Sequence, residues 1–198
     1  MERATFFFCV ALLVAGPTFA QTPDTSIEID LQEQAAYLIR NGRAVLSTPI
    51  SSGRYGHLTE VGSFKVMEKE RNHFSTLYGR IVDARGNIIV VDADSDMPVP
   101  RGGKFVAAPM HYFVRFNNTI GMHAGYLPGY PASHGCVRLP KEKAIAIFNA
   151  VEVGTPVTVF GRTPRGREMR QARLQRRTRA PAWPNDPRTF YPAPWWVR

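Results

Sequence analysis

AYLIRNGRAVLST, residues 36–48, places two apolar segments on either side of the pair Asn41-Gly42. Both residues of this pair tolerate positive φ, so the run is typical of a β-hairpin with a two-residue turn. Similar short apolar segments, bounded by turn residues, predict strands at 27–31, 62–67, 87–91, 112–116 and 155–160. Pro156 lies in the last of these segments and indicates an edge strand.

One later segment has the periodicity of a helix. In residues 140–149, Ala144, Ile147 and Phe148 fall on one helical face, and Pro140 is expected at the first helical position. Many short strands with a single late helix predict a mainly β fold, either a β-sandwich or a flattened barrel.

The first 20 residues have the layout of a secretory signal peptide. Arg3 precedes an apolar run at 6–15, and small residues lead to a predicted cleavage site after Ala20. The run is too short for a transmembrane segment, which needs about 20 apolar residues. Removal of this peptide, which contains Cys9, would leave Cys136 as the only cysteine of an exported protein. A lone thiol in an oxidising compartment has no intramolecular disulfide partner, which favours a chemical role.

The net charge of +9 is concentrated near the C-terminus. Residues 161–198 contain ten arginines against Glu168 and Asp186, whereas residues 21–160 are close to neutral. This distribution argues against a nucleic-acid-binding domain. We therefore predict one folded domain over 21–160 and an Arg-rich, Pro- and Trp-rich extension over 161–198.

The chemistry of the chain centres on the motif SHGC at 133–136, which follows MHAG at 122–125. A cysteine nucleophile needs a base, and it needs donors aimed at the developing oxyanion. We expect His123 to supply the base and a cationic partner for the Cys136 thiolate. Backbone N–H groups around Gly135 and Cys136 are the expected oxyanion donors, and a side chain at position 135 would obstruct the substrate carbonyl. The imidazole also needs an orienting acceptor, for which the Ala124 carbonyl is the candidate.

Other interpretations of the polar residues are weaker. Thiolate and imidazole suit zinc, so Cys136, His123, His134 and His111 would be the ligands of a metal site, but no typical ligand spacing supports one. Asp92, Asp94 and Asp96 alternate as in a calcium loop, yet the glycine and glutamate of such a loop are misplaced. We interpret these aspartates as a solvated turn.

The extension contains five large aromatic residues, which is unusual for an inert tail: Trp183, Phe190, Tyr191, Trp195 and Trp196. Its prolines exclude regular structure, while large aromatic side chains usually pack against protein. We expect residues 181–198 to form an arm that packs over the domain near Cys136. Contact of this arm with a ligand or an envelope partner is the alternative.

The segment from Met122 to Pro140 resembles the catalytic domain of the L,D-transpeptidase (YkuD-type) family. The signature of that family is a histidine followed by Ser/Thr-His-Gly-Cys, with an arginine two residues after the cysteine, here Arg138. Upstream, Ser52-Gly53 and TEVGSF at 59–64 are similar to its Ser-x-Gly and Thr-Pro-x-Gly-x-Phe stretch, and GTPV at 154–157 to its closing strand. The resemblance covers about residues 27–160. Two departures are Glu60 in place of the proline and only nine residues between His123 and Ser133, a spacing similar to that of short single-domain proteobacterial members.

The resemblance implies a β-sandwich of mixed sheets and a cofactor-free periplasmic enzyme that acts on peptidoglycan stem peptides. Cys136 would be acylated by a stem peptide with His123 as base and then acid, and an amine of a second stem would resolve the thioester. Ser133, His134 and Arg138 would shape the pocket and hold the substrate carboxylate. The new bond would join two diaminopimelates or, in a variant register, L-Ala to diaminopimelate. Family members are acylated by carbapenems.

Two further functions use the same motif. If water resolved the thioester, the protein would be a carboxypeptidase or an amidase that releases wall-attached protein. If Cys136 were idle, the protein would bind peptidoglycan without turnover.

Overall fold

The computed structural model describes residues 24–165 and Glu168. These residues form two five-stranded sheets and a helix, α1 (Lys141–Ala150). The strands are β1 (Thr25–Asp30), β2 (Ala35–Arg40), β3 (Arg43–Pro49), β4 (Gly62–Lys65), β5 (Glu68–Val82), β6 (Ile88–Asp94), β7 (Lys104–Asn117), β8 (Ile120–Ala124), β9 (Val137–Leu139) and β10 (Pro156–Phe160).

Both sheets are mixed. The first has the strand order β3-β2-β1-β10-β4, with β1 and β10 parallel, and the second has the order β6-β5-β7-β8-β9, with β8 and β9 parallel. One core joins them, because Ile27 and Ile29 of the first sheet, Val114 and Met122 of the second, and Ile147 of α1 belong to the same buried cluster. The predicted mainly β sandwich of mixed sheets with one helix is confirmed.

The hairpin that indicates this fold class forms as predicted. Asn41 and Gly42 connect β2 and β3 with φ values of 49° and 71°, and Arg40 pairs with Arg43 across the turn. Two consecutive positive φ angles match the twist of the flanking strands, which explains the Asn-Gly pair.

Three details of the sequence-based prediction are wrong. β10 lies between β1 and β4, so Pro156 does not mark an edge strand. It is tolerated because it is the first residue of the strand. Pro140 occupies the N-cap position of α1, one residue before the predicted one. Asp92 and Asp94 belong to β6 instead of a solvated turn.

The predicted signal peptide at 1–20 and the predicted arm at 181–198 lie outside the described residues. They stay predictions, as does the division of the chain at 160. Within residues 24–165, no helix is long and apolar enough to cross a bilayer.

Candidate active site

The parallel pairing of β8 with β9 places His123 and Cys136 on neighbouring chain segments. Met122 pairs with Val137, and both belong to the buried core. His123 pairs with Arg138, so these two side chains lie on the other face of the strands. Cys136 directly precedes β9, and extending the alternation of that strand back by two residues from Arg138 puts Cys136 on the same face. The predicted base and the predicted nucleophile are thus presented on one side of two adjacent segments.

His123 is held by its own strand. Its Nδ1 lies 2.9 Å from the carbonyl oxygen of Ala124. Because a carbonyl only accepts hydrogen bonds, the ring proton is on Nδ1, and Nε2 keeps its lone pair for use as a base. The orienting role predicted for Ala124 is confirmed.

Burial sets the charge state of both groups. His123 is 5% exposed, and its burial lowers its pKa to about 4, although the bond to Ala124 opposes this effect. Burial also raises the pKa of the Cys136 thiol, opposed by the backbone N–H of Gly121 and by Arg138. The free protein therefore holds a neutral imidazole and a neutral thiol at pH 7. This differs from the expected cationic partner of a thiolate, because burial disfavours both charged forms.

Ser133 and Thr59 fix the turn that carries the nucleophile. The Ser133 hydroxyl donates to the carbonyl of Cys136 and accepts the N–H of Gly135 at 3.1 Å. The hydroxyl of Thr59 donates to the carbonyl of Gly135 at 2.6 Å and accepts the N–H of Gly53 at 2.9 Å. Both side chains are buried. Ser133 therefore holds the backbone around Cys136 in place.

Gly135 is required by its backbone conformation. Its φ is +118°, a region that favours glycine, whereas a Cβ there would meet Ile120 at an ordinary 3.4 Å. The Gly135 N–H is already bonded to Ser133. The N–H of Cys136 is therefore the better candidate for an oxyanion donor.

Arg138 presents a cation close to the sulfur. Its backbone pairs with Ser51 through two bonds of 3.0 Å, and its stem fills the space left by Gly125, where a Cβ would lie 3.0 Å from its Cγ. Burial lowers the pKa of Arg138, with Asp92 and Cys136 opposing this effect. A half-buried guanidinium beside the nucleophile is suited to bind a carboxylate.

The structure surrounds His134 with residues that the sequence analysis did not assign to the site. Arg54 and Asp92 approach its ring edge, Tyr78 stacks on its face, and His57 makes an edge contact. Arg54 could have been assigned to the site from the sequence, because it directly follows Ser52-Gly53. Asp92 could not, because only the pairing of β5 with β6 brings it to the motif.

Metal coordination finds no support within residues 24–165. No three His, Cys, Asp or Glu side chains in that range are arranged to hold an ion.

Comparison with known proteins places this geometry in a family. The model of the YkuD L,D-transpeptidase catalytic domain matches residues 24–159. L,D-transpeptidase 1 of Mycobacterium tuberculosis is 32% identical over 129 residues, which covers 62% of this chain and 45% of that protein. The chain thus spans about half the length of the curated relatives that it matches.

Solved structures show the same architecture. LD transpeptidase LdtMt1 in complex with imipenem is 26% identical, with a TM-score of 0.52, over 69% of this chain and 59% of that one. L,D-transpeptidase 3 from Mycobacterium tuberculosis, in complex with a faropenem-derived adduct, is 26% identical with a TM-score of 0.52. That alignment covers 70% of this chain and 61% of the other.

Proposed function

This chain belongs to the YkuD family of L,D-transpeptidase catalytic domains, and we propose that it cross-links peptidoglycan stem peptides through a thioester on Cys136. The observation that carries the proposal is the shared face of His123 and Cys136, with Nδ1 of His123 bonded to Ala124. This arrangement leaves Nε2 as the base, which is what acyl transfer by a neutral thiol requires.

In the proposed acylation, the Cys136 proton moves to Nε2 of His123 as the Sγ–C bond forms. The C–N bond of the donor peptide then breaks, and His123 returns the proton to the leaving amine. An acceptor amine next attacks the thioester, its proton passes to His123, and the C–S bond breaks as the Cys136 thiol is restored. A base with a low pKa is neutral throughout the physiological range and is therefore ready for both steps.

Two groups support the transition state in this proposal. The N–H of Cys136 would donate to the oxyanion, in a turn held rigid by Ser133 and Thr59. The guanidinium of Arg138 would bind a carboxylate of the stem peptide. The same assignment gives Gly135 the role of shaping this turn.

The proposal extends to inhibitors and location. The relatives in complex with imipenem and with a faropenem-derived adduct support acylation of Cys136 by carbapenems. The layout of residues 1–20 supports export to the periplasm, where the substrate is found.

Product analysis of one substrate tests the function. Purified protein is incubated with disaccharide-tetrapeptide, and the muropeptides are separated and sequenced by mass spectrometry, with Cys136→Ala as the control. We expect cross-linked dimers, and the fragmentation pattern reads whether the donor is diaminopimelate or L-Ala. If the only products are trimmed monomers, the protein is a hydrolase and not a transpeptidase. If the substrate is unchanged, the protein binds peptidoglycan without turnover.

A further inference from the structure

Two charged side chains, Arg54 and Asp92, meet at the edge of the His134 ring. Nη2 of Arg54 lies 2.7 Å from Nε2 of His134, and Nη1 lies 3.4 Å from Nδ1. Asp92 completes a triangle, with Oδ1 3.5 Å from the same Nε2 and Oδ2 3.2 Å from Nη2 of Arg54. A cation and an anion therefore compete for one ring nitrogen, two residues before the nucleophile.

A specific backbone feature positions each of the two residues, Arg54 and Asp92, beside His134. The N–H of Arg54 donates to the carbonyl of Ser133 at 2.9 Å, which fixes Arg54 beside the motif. In the β5–β6 pair, Gly79 faces Ala93 and Ile81 faces Val90. Two residues of β6, Val91 and Asp92, are consequently opposed by one residue of β5. Such a bulge redirects side chains and is frequent beside active sites.

The His134 ring has little freedom to leave this contact. Tyr78 stacks on it with ring centroids 4.1 Å apart, and His57 meets it edge-on at 4.7 Å. The side chain of His134 is only 10% exposed, whereas those of Arg54 and Asp92 are 35% and 60% exposed. Burial and the charged partners together therefore determine the protonation state of the ring.

The hydrogen-bonding groups of Arg54 indicate the protonation state of His134. A guanidinium only donates, and its shorter contact of 2.7 Å is with Nε2 of His134, so Nε2 is the acceptor. The proton of the neutral ring is then on Nδ1, whose contact with Nη1 is the longer one at 3.4 Å. A second proton on Nε2 would turn the contact with Arg54 into repulsion. Nε2–H could then donate to Asp92, which lies 3.5 Å away. The cluster thus has two alternative arrangements that differ by one proton.

We propose that Arg54 and Asp92 are positioning residues that together control the charge and the place of His134, and through it the geometry of Gly135 and Cys136. The effect on acylation rests on the proposed function. With His134 neutral, Arg54 holds the ring against Tyr78 and the turn is competent. With His134 protonated, Arg54 is displaced and acylation slows.

The charged and titratable groups that face the ring contribute to this balance. Arg54 and His57 face it from the turn after β3, Tyr78 from β5, and Asp92 and Asp94 from β6. Burial lowers the pKa of His134, Asp92 and Asp94 raise it, and Arg54 and His57 lower it. Removal of Arg54 and removal of Asp92 must therefore act in opposite directions.

The experiment compares Arg54→Gln with Asp92→Asn in the full chain. The imipenem acylation rate of Cys136 is measured from pH 4.5 to 9 by loss of β-lactam absorbance, and the His134 C2–H resonance is titrated by NMR. The acid limb is the fall in acylation rate at low pH. We expect Arg54→Gln to move both this limb and the His134 titration to higher pH. Asp92→Asn should move both to lower pH. Each shift should be about 0.5–1 pH unit, since the pair is partly exposed. Asp96→Asn, at an exposed carboxylate just after β6, should move neither.

Conservative variants separate positioning from a loss of folding. Arg54→Lys and Asp92→Glu keep the charge and should retain the wild-type acid limb even where the maximal rate falls. Shifts in the same direction for the two charge-removing variants, or a His134 titration that moves without the acid limb, would overturn the proposal. If imipenem does not acylate the wild-type protein, the proposed function fails, and the opposed NMR shifts alone then decide whether Arg54 and Asp92 control His134.

Discussion

The hydroxyl of Thr59 donates to the carbonyl of Gly135 at 2.6 Å, across 76 positions of sequence. The same oxygen accepts the N–H of Gly53, so one buried side chain ties the turn after β3 to the turn that carries Cys136. Gly53 permits this close approach, because a Cβ there would lie 2.0 Å from the carbonyl oxygen of His57.

Thr59→Val should destabilise the protein by about 2–4 kcal/mol, because it leaves two buried backbone groups without a partner in an isosteric pocket. Urea unfolding measures the loss, and the imipenem acylation rate should fall with it. Thr59→Ser keeps the hydroxyl and is the matched control. Equal stability of the valine and serine variants would show that the hydroxyl does not hold the turn.

Cys136→Ala should abolish both the acyl adduct and every cross-linked product. The thiol is half-buried and its contacts are weak, with Sγ 3.9 Å from the carbonyl of Thr119 and close to the N–H of Gly121, so the free energy of unfolding should change by less than about 1 kcal/mol. Intact-mass spectrometry after incubation with imipenem detects the adduct. An adduct that persists in the variant would assign the nucleophile elsewhere.

His123→Gln should lower the acylation rate by about two to four orders of magnitude, the usual contribution of a positioned proton-transfer group. Alkylation of the wild-type protein by iodoacetamide tests the neutral pair separately. Because burial raises the pKa of Cys136, alkylation should be slow at pH 7 and should increase only above the ordinary thiol range near pH 8.5. Rapid alkylation at pH 6 would instead indicate a preformed imidazolium–thiolate pair.

The depressed pKa of His123 predicts a loss of stability in acid. The folded-state pKa is about 4 against 6.5 for a free histidine, so the unfolded chain binds more protons between these values. The free energy of unfolding is unaffected by the titration of His123 above pH 6.5. It falls as the pH is lowered from 6.5 toward 4, by about 3 kcal/mol in total. Denaturant unfolding of wild type and His123→Gln at pH 7 and pH 4.5 isolates this contribution, since the carboxylates titrate in both. The same acid loss in both proteins would exclude His123 as its source.

Chelation should leave activity unchanged. The described part of the chain provides no cluster of metal ligands, and the proposed acyl transfer uses only Cys136, His123 and backbone donors. Cross-linking is measured after dialysis against EDTA and again after zinc is restored. Activity that falls with EDTA and returns with zinc would contradict this expectation.

Local patterns predicted the parts of the fold that depend on local interactions. The Asn41-Gly42 hairpin and α1 were identified because turn residues and helical periodicity can be recognised within a short stretch of consecutive residues. β5 was missed because its sequence, EKERNHFSTLYGRIV, has only three buried residues and no alternation. It forms because β7 pairs along nearly its whole length. Pro156 was misassigned to an edge for a similar reason, since both neighbours of β10, β1 and β4, come from the distant N-terminal half of the domain.

The candidate site divides in the same way. His123, Cys136 and the acceptor Ala124 lie within or beside one motif, so their chemistry is visible in sequence. Asp92 reaches His134 only through a bulge in an edge strand, and no short-range pattern encodes that contact. The charge states of His123 and Cys136 also depend on burial, which spacing does not reveal.

The neutral state of Cys136 has a consequence for the chemical stability of the protein. Peroxides and disulfides react with the thiolate, so a thiol whose pKa is raised by burial is attacked slowly. In the exported protein that we propose, Cys136 would be the lone cysteine and would have no neighbouring thiol to reverse such damage. The burial that keeps the resting sulfur neutral therefore also protects it from oxidation.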